Sequence, residues 1–200
     1  MSNIMQVLII GYVWPEPNSS AAGSRMMQLI TAMRAQNWQV TFSSPAQPSD
    51  HMADLTQHGV PCQAIELNNG SFDQYISDLN PNIVIFDRFM TEEQFGWRAA
   101  QYCPEALRVL DTSDLHCLRL AREQALKKGA PLNLRNETAL REIAAIYRCD
   151  LTLMISEFEM AILRDEFAMA EDLLAYWPFA ITPSESVLNY EARQHFILIG

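Results

Sequence analysis

The sequence predicts an α/β protein built on a parallel sheet. Short apolar runs, such as residues 4–10 and 83–86, alternate along the chain with segments whose apolar positions recur at helical spacing. Parallel strands that are buried on both faces need near-continuous apolar runs, and alternating strands and helices are typical of such sheets. The chain has 200 residues, is 49% hydrophobic and contains 7 glycines, which suits one globular domain with a sizeable core.

The elements follow from these patterns in chain order. The first strand ends at Gly11, a loop containing prolines and serines follows, and a helix is predicted over residues 21–36. Residues 46–58 should end in a helix. Further helices are predicted over 71–79 and 133–147, after Thr91 and after Ser156. Six more strands are predicted at 40–43, 62–67, 83–86, 107–110, 151–155 and 173–177.

Two helix starts carry a capping pattern. Gln94 follows Thr91 by three residues, and Glu159 follows Ser156 by the same spacing. In this arrangement the hydroxyl binds a backbone N–H of the first turn while the longer side chain reaches back. The elements together predict a Rossmann-like, doubly wound parallel sheet of about seven strands with helices on both faces.

The end of the chain differs from the rest. Residues 1–180 are predicted to form one domain, whereas 181–200 resemble a linker followed by a strand at 196–200. An apolar strand without a covering helix is an aggregation hazard. We therefore expect this segment to be the linker and first strand of a second α/β domain that the 200 residues lack.

Composition excludes several classes of protein. The formal net charge of −10 argues against a nucleic-acid partner, which needs a basic surface. No apolar run approaches the ~18–20 residues of a membrane span, and a signal peptide is not expected. The four cysteines are scattered, which favours reduced and mostly buried thiols in a cytoplasmic protein. Neither the dinucleotide fingerprint nor the P-loop pattern occurs.

One segment is locally basic. Residues 116–135 contain five cations and a single carboxylate, Glu123; the cations are Arg119, Arg122, Lys127, Lys128 and Arg135. Two interpretations remain open. The segment is either a solvated helix face, or a contact for anionic lipid or for a phosphate-bearing substrate.

The strongest candidate site follows the fifth strand. Asp111, Asp114 and His116 come directly after it, on the edge of the sheet that also receives the first loop and Asp87. Such a group could hold a metal with further ligands, or bind sugar hydroxyls and assist proton transfer. Alternatively, Asp111 caps the next helix and His116 is a surface residue.

The first loop adds two candidates. Parallel sheets bind ligands beyond the carboxyl ends of their strands, where helix N-termini offer free N–H groups. Gly23 is expected to let a ligand approach the backbone, and Arg25 to meet an anion.

Four stretches together resemble a known family. They are VLIIGYVWPEPNSSAAGSRMMQLITAMRAQNWQVTFSSP, IVIFDRFMTEEQF, LRVLDTSDLHCLRLARE and DLTLMISEFEMAIL. In this order they are similar to the N-terminal, acceptor-side domain of GT-B glycosyltransferases, in particular the retaining family-4 group. The resemblance covers almost the whole chain. Two departures are that Ala22 precedes Gly23 where the family often has two glycines, and that the donor-binding domain with its glutamate pair is absent.

The resemblance implies a hexosyl-type transferase that uses a nucleotide sugar and a saccharide or lipid-linked acceptor in the assembly of cell-surface polysaccharide or lipopolysaccharide. It implies no cofactor and no metal, a cytoplasmic location, and peripheral contact with the inner face of the membrane through residues 119–135. His116 would be the catalytic residue. The residues implied to line the cleft are Gly23, Arg25, Asp87, Asp111 and Asp114. This chain alone would lack the donor site and be inactive.

Two other hypotheses remain from the residues. The chain could be a non-catalytic Rossmann-like binding or interaction module. It could also be an unrelated doubly wound enzyme, such as an epimerase or a deacetylase, without a recognisable motif.

Overall fold

The computed structural model describes residues 4–181 and 189–194 and contains one seven-stranded sheet in which every strand pair is parallel. The spatial order is β3-β2-β1-β4-β5-β6-β7. The strands are β1 (Gln6–Ile10), β2 (Gln39–Ser44), β3 (Cys62–Ala64), β4 (Ile83–Asp87), β5 (Leu107–Asp111), β6 (Leu151–Met154) and β7 (Leu174–Tyr176). The predicted fold class is confirmed.

Six α-helices join the strands. They are α1 (Ala21–Ala35), α2 (Ser71–Leu79), α3 (Phe89–Tyr102), α4 (His116–Lys128), α5 (Glu137–Arg148) and α6 (Glu157–Phe167). Short 3-10 turns lie at Leu55–His58, Glu171–Leu173 and Tyr190–Ala192. None of the described helices is long and apolar enough to cross a membrane.

The sheet is buried on both faces because successive side chains of a strand point to opposite sides. Leu8 and Ile10 of β1 pack with α2 to α6 on one face, whereas Val7 and Ile9 pack with α1 on the other. This explains why the strands are continuous apolar runs. Cys103, Cys117 and Cys149 are buried free thiols and Cys62 is an exposed one, as the cysteine pattern predicts.

The topology places the candidate site. β1 pairs with β2 on one side and with β4 on the other, so the direction of winding reverses between β1 and β4. Ile10 lies level with Phe86, and Asp87 lies level with Asp111. Ligands of open parallel sheets bind beyond the carboxyl ends of the strands at such a reversal.

The predicted start of α3 is wrong. The helix begins at Phe89, and Thr91 lies inside its first turn, where its hydroxyl donates to the carbonyl of Asp87 at 2.9 Å. The N-cap is Arg88, whose N–H donates to the carbonyl of Asp111 at 2.7 Å. A contact with the neighbouring strand, and not a local capping pattern, therefore sets this helix start.

Other boundaries are closer to prediction. Ser156 caps α6 as predicted and accepts from the N–H of Glu159 at 3.4 Å. The helix predicted from residue 133 begins at Glu137, because Asn136 accepts from the N–H of Ala139 at 3.0 Å. β3 is shorter than predicted and ends at Ala64. The strand predicted at 196–200 lies outside the described residues.

Candidate functional site

A cleft of about 380 Å³ lies at the carboxyl edge of the sheet, between the start of α1 and the start of α4. Its lining residues are Ala21, Ala22, Arg25, Arg88, Ser113, Asp114, His116, Arg119, Ile155 and Phe179. Three of the six predicted site residues belong to this wall: Arg25, Asp114 and His116. Gly23 and Asp87 line a small adjoining space of about 20 Å³, and Asp111 is buried.

Arg25 and Asp111 form a buried ion pair. Both side chains are 1% exposed, and Nη2 and Nε of Arg25 lie 2.9 and 3.2 Å from Oδ1 of Asp111. The guanidinium also donates to the carbonyl of Trp177. The anion that Arg25 meets here is thus a carboxylate of its own chain, and the pair joins α1 to β5 and to the segment after β7. Asp111 does not cap α4, whose N-cap is Leu115.

Gly23 serves the packing of the first loop. A Cβ added there would lie 2.4 Å from the carbonyl carbon and oxygen of Glu16. The peptide of Glu16 therefore fills the Cβ position of Gly23, so the packing of the loop by itself requires a glycine here. The approach of a ligand to the backbone at Gly23 stays a prediction. The hydroxyl of Ser20 accepts from the N–H of Gly23 at 3.0 Å, and Ser24 donates to the carbonyl of Pro17. These contacts hold the loop against the start of α1.

Asp87 lies between the first loop and the turn after β5. Its carboxylate accepts from the N–H of Tyr12 at 3.1 Å and from the hydroxyl of Ser113 at 3.3 Å. Burial raises the pKa of Asp87 to about 6, with the Arg88 guanidinium opposing and the Asp111 carboxylate adding to the shift. A buried carboxyl group beside the cleft therefore has a pKa of about 6.

Arg88 is a site residue that the sequence-based prediction left out. Its φ is +73° and its ψ is 158°, a backbone conformation that costs a non-glycine residue about 1–3 kcal/mol. The guanidinium lies 5.2 Å from the ring centroid of Tyr12, and its Nε lies 3.5 Å from Oδ1 of Asp87. Its place directly after a buried strand is the only sequence signal for it. The turn that projects Arg88 into the cleft depends on the neighbouring strand.

His116 is the first residue of α4. Its Nδ1 lies 3.1 Å from the carbonyl oxygen of Asp114, and a carbonyl can only accept, so the hydrogen sits on Nδ1 and the lone pair on Nε2. Burial lowers the pKa of His116, although the Asp114 carboxylate opposes this shift. Phe89 meets the ring edge-on, with 5.6 Å between centroids. Burial thus favours the neutral imidazole, and the contact of Nδ1 with the carbonyl of Asp114 favours Nε2 as its accepting nitrogen.

Two carboxylates, the buried Glu142 and the half-buried Glu159, hold the start of α4. Glu142 of α5 accepts from the N–H groups of His116 and Cys117 at 3.0 and 2.9 Å. Glu159 of α6 accepts from the N–H of Leu115 at 3.3 Å. Burial raises the pKa of both carboxyl groups. Because these N–H groups are already paired, the positive end of the α4 dipole is offset within the protein. No local pattern points to Glu142. The capping pattern after Ser156 did single out Glu159, but its carboxylate accepts from the N–H of Leu115 in the neighbouring helix start.

The cations that reach the cleft lie elsewhere on its wall. Arg88 and Arg119 reach it, and the first residues of α1 line it. Arg119 is partly committed, since its Nε lies 2.8 Å from Oδ2 of Asp114. Within residues 4–181 and 189–194, no three histidine, cysteine or acidic side chains are arranged to hold a metal ion.

Three solved structures share the fold. They are sucrose-phosphate synthase from Thermosynechococcus elongatus (TM-score 0.56, 17% identity, 87% of this chain), the lipopolysaccharide outer core galactosyltransferase WaaB (0.56, 14%, 89%), and an α-glucosyltransferase in complex with UDP and a 13-mer DNA (0.52, 12%, 88%). At this level of identity the similarity concerns the fold. This chain is therefore similar to these three proteins in fold.

The comparison also concerns length. This chain spans 48%, 47% and 42% of those three structures, which is about half. No protein-family model matches the sequence, and no curated protein matches it either.

Proposed function

We propose that this chain forms one wall of the substrate cleft of a glycosyltransferase of the retaining, family-4-like type. The enzyme would transfer a hexosyl group from a nucleotide sugar to a saccharide or lipid-linked acceptor, in the assembly of cell-surface polysaccharide or lipopolysaccharide. The observation that carries the proposal is the cleft at the reversal of the sheet, where a neutral His116 faces Arg88 and the start of α1. The four resembling sequence stretches and the three fold neighbours support it.

Each part of the cleft fits a step of such a transfer. The bond between sugar and diphosphate breaks as negative charge builds on the leaving phosphate. Arg88, Arg119 and the first N–H groups of α1 provide positive potential for that charge. The accepting Nε2 of His116 suits a hydroxyl of the transferring sugar. Asp114 offers carboxyl oxygens for further hydroxyl groups, while Asp87 holds the first loop and the turn after β5 behind the cleft. The proposal requires no metal and no cofactor other than the nucleotide sugar as substrate.

The remaining half of the enzyme would bind most of the donor. Because this chain spans about half of its fold neighbours, we propose that a second α/β domain contributes the nucleotide contacts, and that the 200 residues alone are inactive. The proposed location is the cytoplasm, at the inner face of the membrane.

Substitution of His116 tests the proposal. The natural gene product that contains this chain is assayed for sugar transfer from UDP- and GDP-sugars. We expect His116→Ala to lower kcat by about tenfold, because the variant loses one hydrogen bond, worth about 1.5 kcal/mol, to the transferring sugar. The control is His58→Ala, since His58 is an exposed histidine in the 3-10 turn after β2, away from the cleft. Unchanged turnover in His116→Ala contradicts the role of His116, and no transfer by the wild type favours a non-catalytic binding module.

A further inference from the structure

Phe89, the first residue of α3, contacts both the His116 imidazole and a charged group. Phe89 is 4% exposed, and its ring centroid lies 5.6 Å from that of the imidazole, with the two ring planes at 86°. The Arg141 guanidinium of α5 lies over the Phe89 ring, 5.0 Å from its centroid. The buried ring that meets the imidazole is thus itself covered by an arginine.

Arg141 is held in place by a carboxylate of α3. Its Nε and Nη2 donate to Oε1 and Oε2 of Glu93 at 2.9 and 2.6 Å. Two parallel bonds between a guanidinium and a carboxylate fix the plane of the guanidinium as well as its position. The Arg141 side chain is 54% exposed, so this forked contact, and not burial, holds it over the Phe89 ring.

Two consecutive residues of α5 therefore reach the surroundings of His116 by different routes. Glu142 accepts from the N–H groups of His116 and Cys117 and so holds the backbone at the start of α4. Arg141 contacts Phe89, which in turn contacts the imidazole. Successive residues of a helix point about 100° apart, which lets one turn of α5 contact both α4 and α3. The backbone and the side chain of His116 thus have separate supports on α5.

We propose that Arg141 is a positioning residue for His116 and acts through the Phe89 ring. The fork with Glu93 fixes the guanidinium, and the guanidinium attracts the negatively charged face of the ring. The ring held in this way limits rotation of the imidazole. It keeps Nδ1 close to the carbonyl oxygen of Asp114, at 3.1 Å, and leaves Nε2 as the accepting nitrogen.

The route through the ring differs from a direct effect of the Arg141 charge. The cations whose charges lower the pKa of His116 are Arg119 and Arg88, both of which line the cleft. Arg141 instead lines a separate cavity of about 460 Å³, together with Glu93. Its contact with the Phe89 ring is therefore its path to the imidazole. The inference concerns the state of the imidazole and does not rest on the transfer of a sugar.

Nitrogen-15 NMR titration of His116 tests the proposal without any substrate. The protein is the natural gene product that contains this chain, with only its histidines labelled, and the His116 signals are identified by their loss in His116→Ala. Phe89→Leu removes the ring but keeps an apolar side chain, and Arg141→Gln removes the guanidinium. In both variants the pKa of His116 should rise towards 6.5, because a looser imidazole gains water. The predominance of the Nδ1–H form should also be lost.

The double variant separates action through the ring from an independent effect. If Arg141 acts through Phe89, then Arg141→Gln should shift the pKa of His116 in the wild type and add no further shift to Phe89→Leu. Additive shifts in the double variant would overturn the proposal. Glu93→Gln leaves Arg141 without its fork and should shift the pKa in the same direction by a smaller amount. Arg141→Gln and Glu93→Gln alter partly exposed side chains, so they decide the question if Phe89→Leu does not fold.

Arg148→Gln is the matched control. Arg148 also joins α5 to α3, through an ion pair with Glu92, whose side chain is 2% exposed. Its loss should lower the thermal midpoint at least as much as the loss of Arg141, since it leaves a buried carboxylate unpaired. The His116 signals should nevertheless stay as they are.

Two further outcomes would overturn the proposal. One is an unchanged pKa and tautomer of His116 in Arg141→Gln. The other is an equal change in Arg141→Gln and Arg148→Gln, because any loosening of α3 against α5 would then be sufficient. Absence of sugar transfer by the wild type bears on the proposed function alone, since the titration needs no substrate.

Discussion

The two ends of α4 are built in opposite ways. At the cleft end, Glu142 and Glu159 pair with the first N–H groups, and Phe89 packs against His116. At the other end, residues 122–133 are exposed apart from half-buried Ala125. The first end can hold an imidazole in one orientation, because its partners are fixed by packing. The buried side chains of α4 all lie in its first half, so the second end has little support. One helix thus joins a supported end to an exposed one.

The largest expected difference concerns the ion pairs at the two ends. Asp111→Ala leaves Arg25 buried and without its carboxylate, which should lower the free energy of unfolding by about 3–5 kcal/mol. Glu123→Gln removes the partner of Lys127 in the second half of α4. Because both side chains are exposed there, the free energy of unfolding should be unchanged. Urea unfolding followed by circular dichroism measures both. Similar midpoints for the two variants would contradict the contrast between a supported and an unsupported end.

How far the cleft end could be predicted depends on whether local sequence or distant contacts determine each feature. The strands were predictable, because burial on both faces requires apolar runs such as 83–86. The cap at Ser156 was predictable because the capping pattern of Ser156 and Glu159 is local in sequence. The start of α3 was not, since the N–H of Arg88 pairs with a carbonyl of the neighbouring strand.

The candidate site follows the same division. Its edge of the sheet was predictable, because parallel strands end together there. Its internal pairing was not: Arg25 and Asp111 are 86 positions apart, and Glu142 is 26 positions from His116. The helical patterns around these residues contain no sign of which partner each will meet. The close contact between Gly23 and the peptide of Glu16 was not predictable either, because the first loop has no regular sequence pattern.

The next prediction concerns the pH dependence of the cleft end. The pKa of Asp87 is raised from 3.8 to about 6 in the folded protein, so between these values the folded state holds a proton that the unfolded chain has released. The free energy of unfolding should therefore fall as pH rises from about 4 to about 6, by on the order of 3 kcal/mol from this group. Asp87→Asn should remove that part of the slope. Equal slopes for the two proteins between pH 4 and 6 would argue against a buried, protonated Asp87.

Among the variants at the cleft end, Glu142→Ala should have the smallest effect on the free energy of unfolding. This variant also gives the most specific information about the cleft. Glu142→Ala leaves the N–H groups of His116 and Cys117 without their acceptor and should cost about 1–3 kcal/mol. If Glu142 positions His116, loosening the first turn of α4 should also expose the imidazole and raise its pKa towards 6.5. Nitrogen-15 NMR titration reports both this pKa and which ring nitrogen carries the hydrogen.

A matched substitution makes the result decisive. Glu166→Ala removes an exposed carboxylate of α6 and should leave the His116 signals as they are. A destabilised Glu142→Ala protein in which the His116 pKa and tautomer are unchanged would make Glu142 a structural cap only. A shift of both signals in Glu142→Ala alone would mean that the buried carboxylate of Glu142 sets the chemistry of the imidazole.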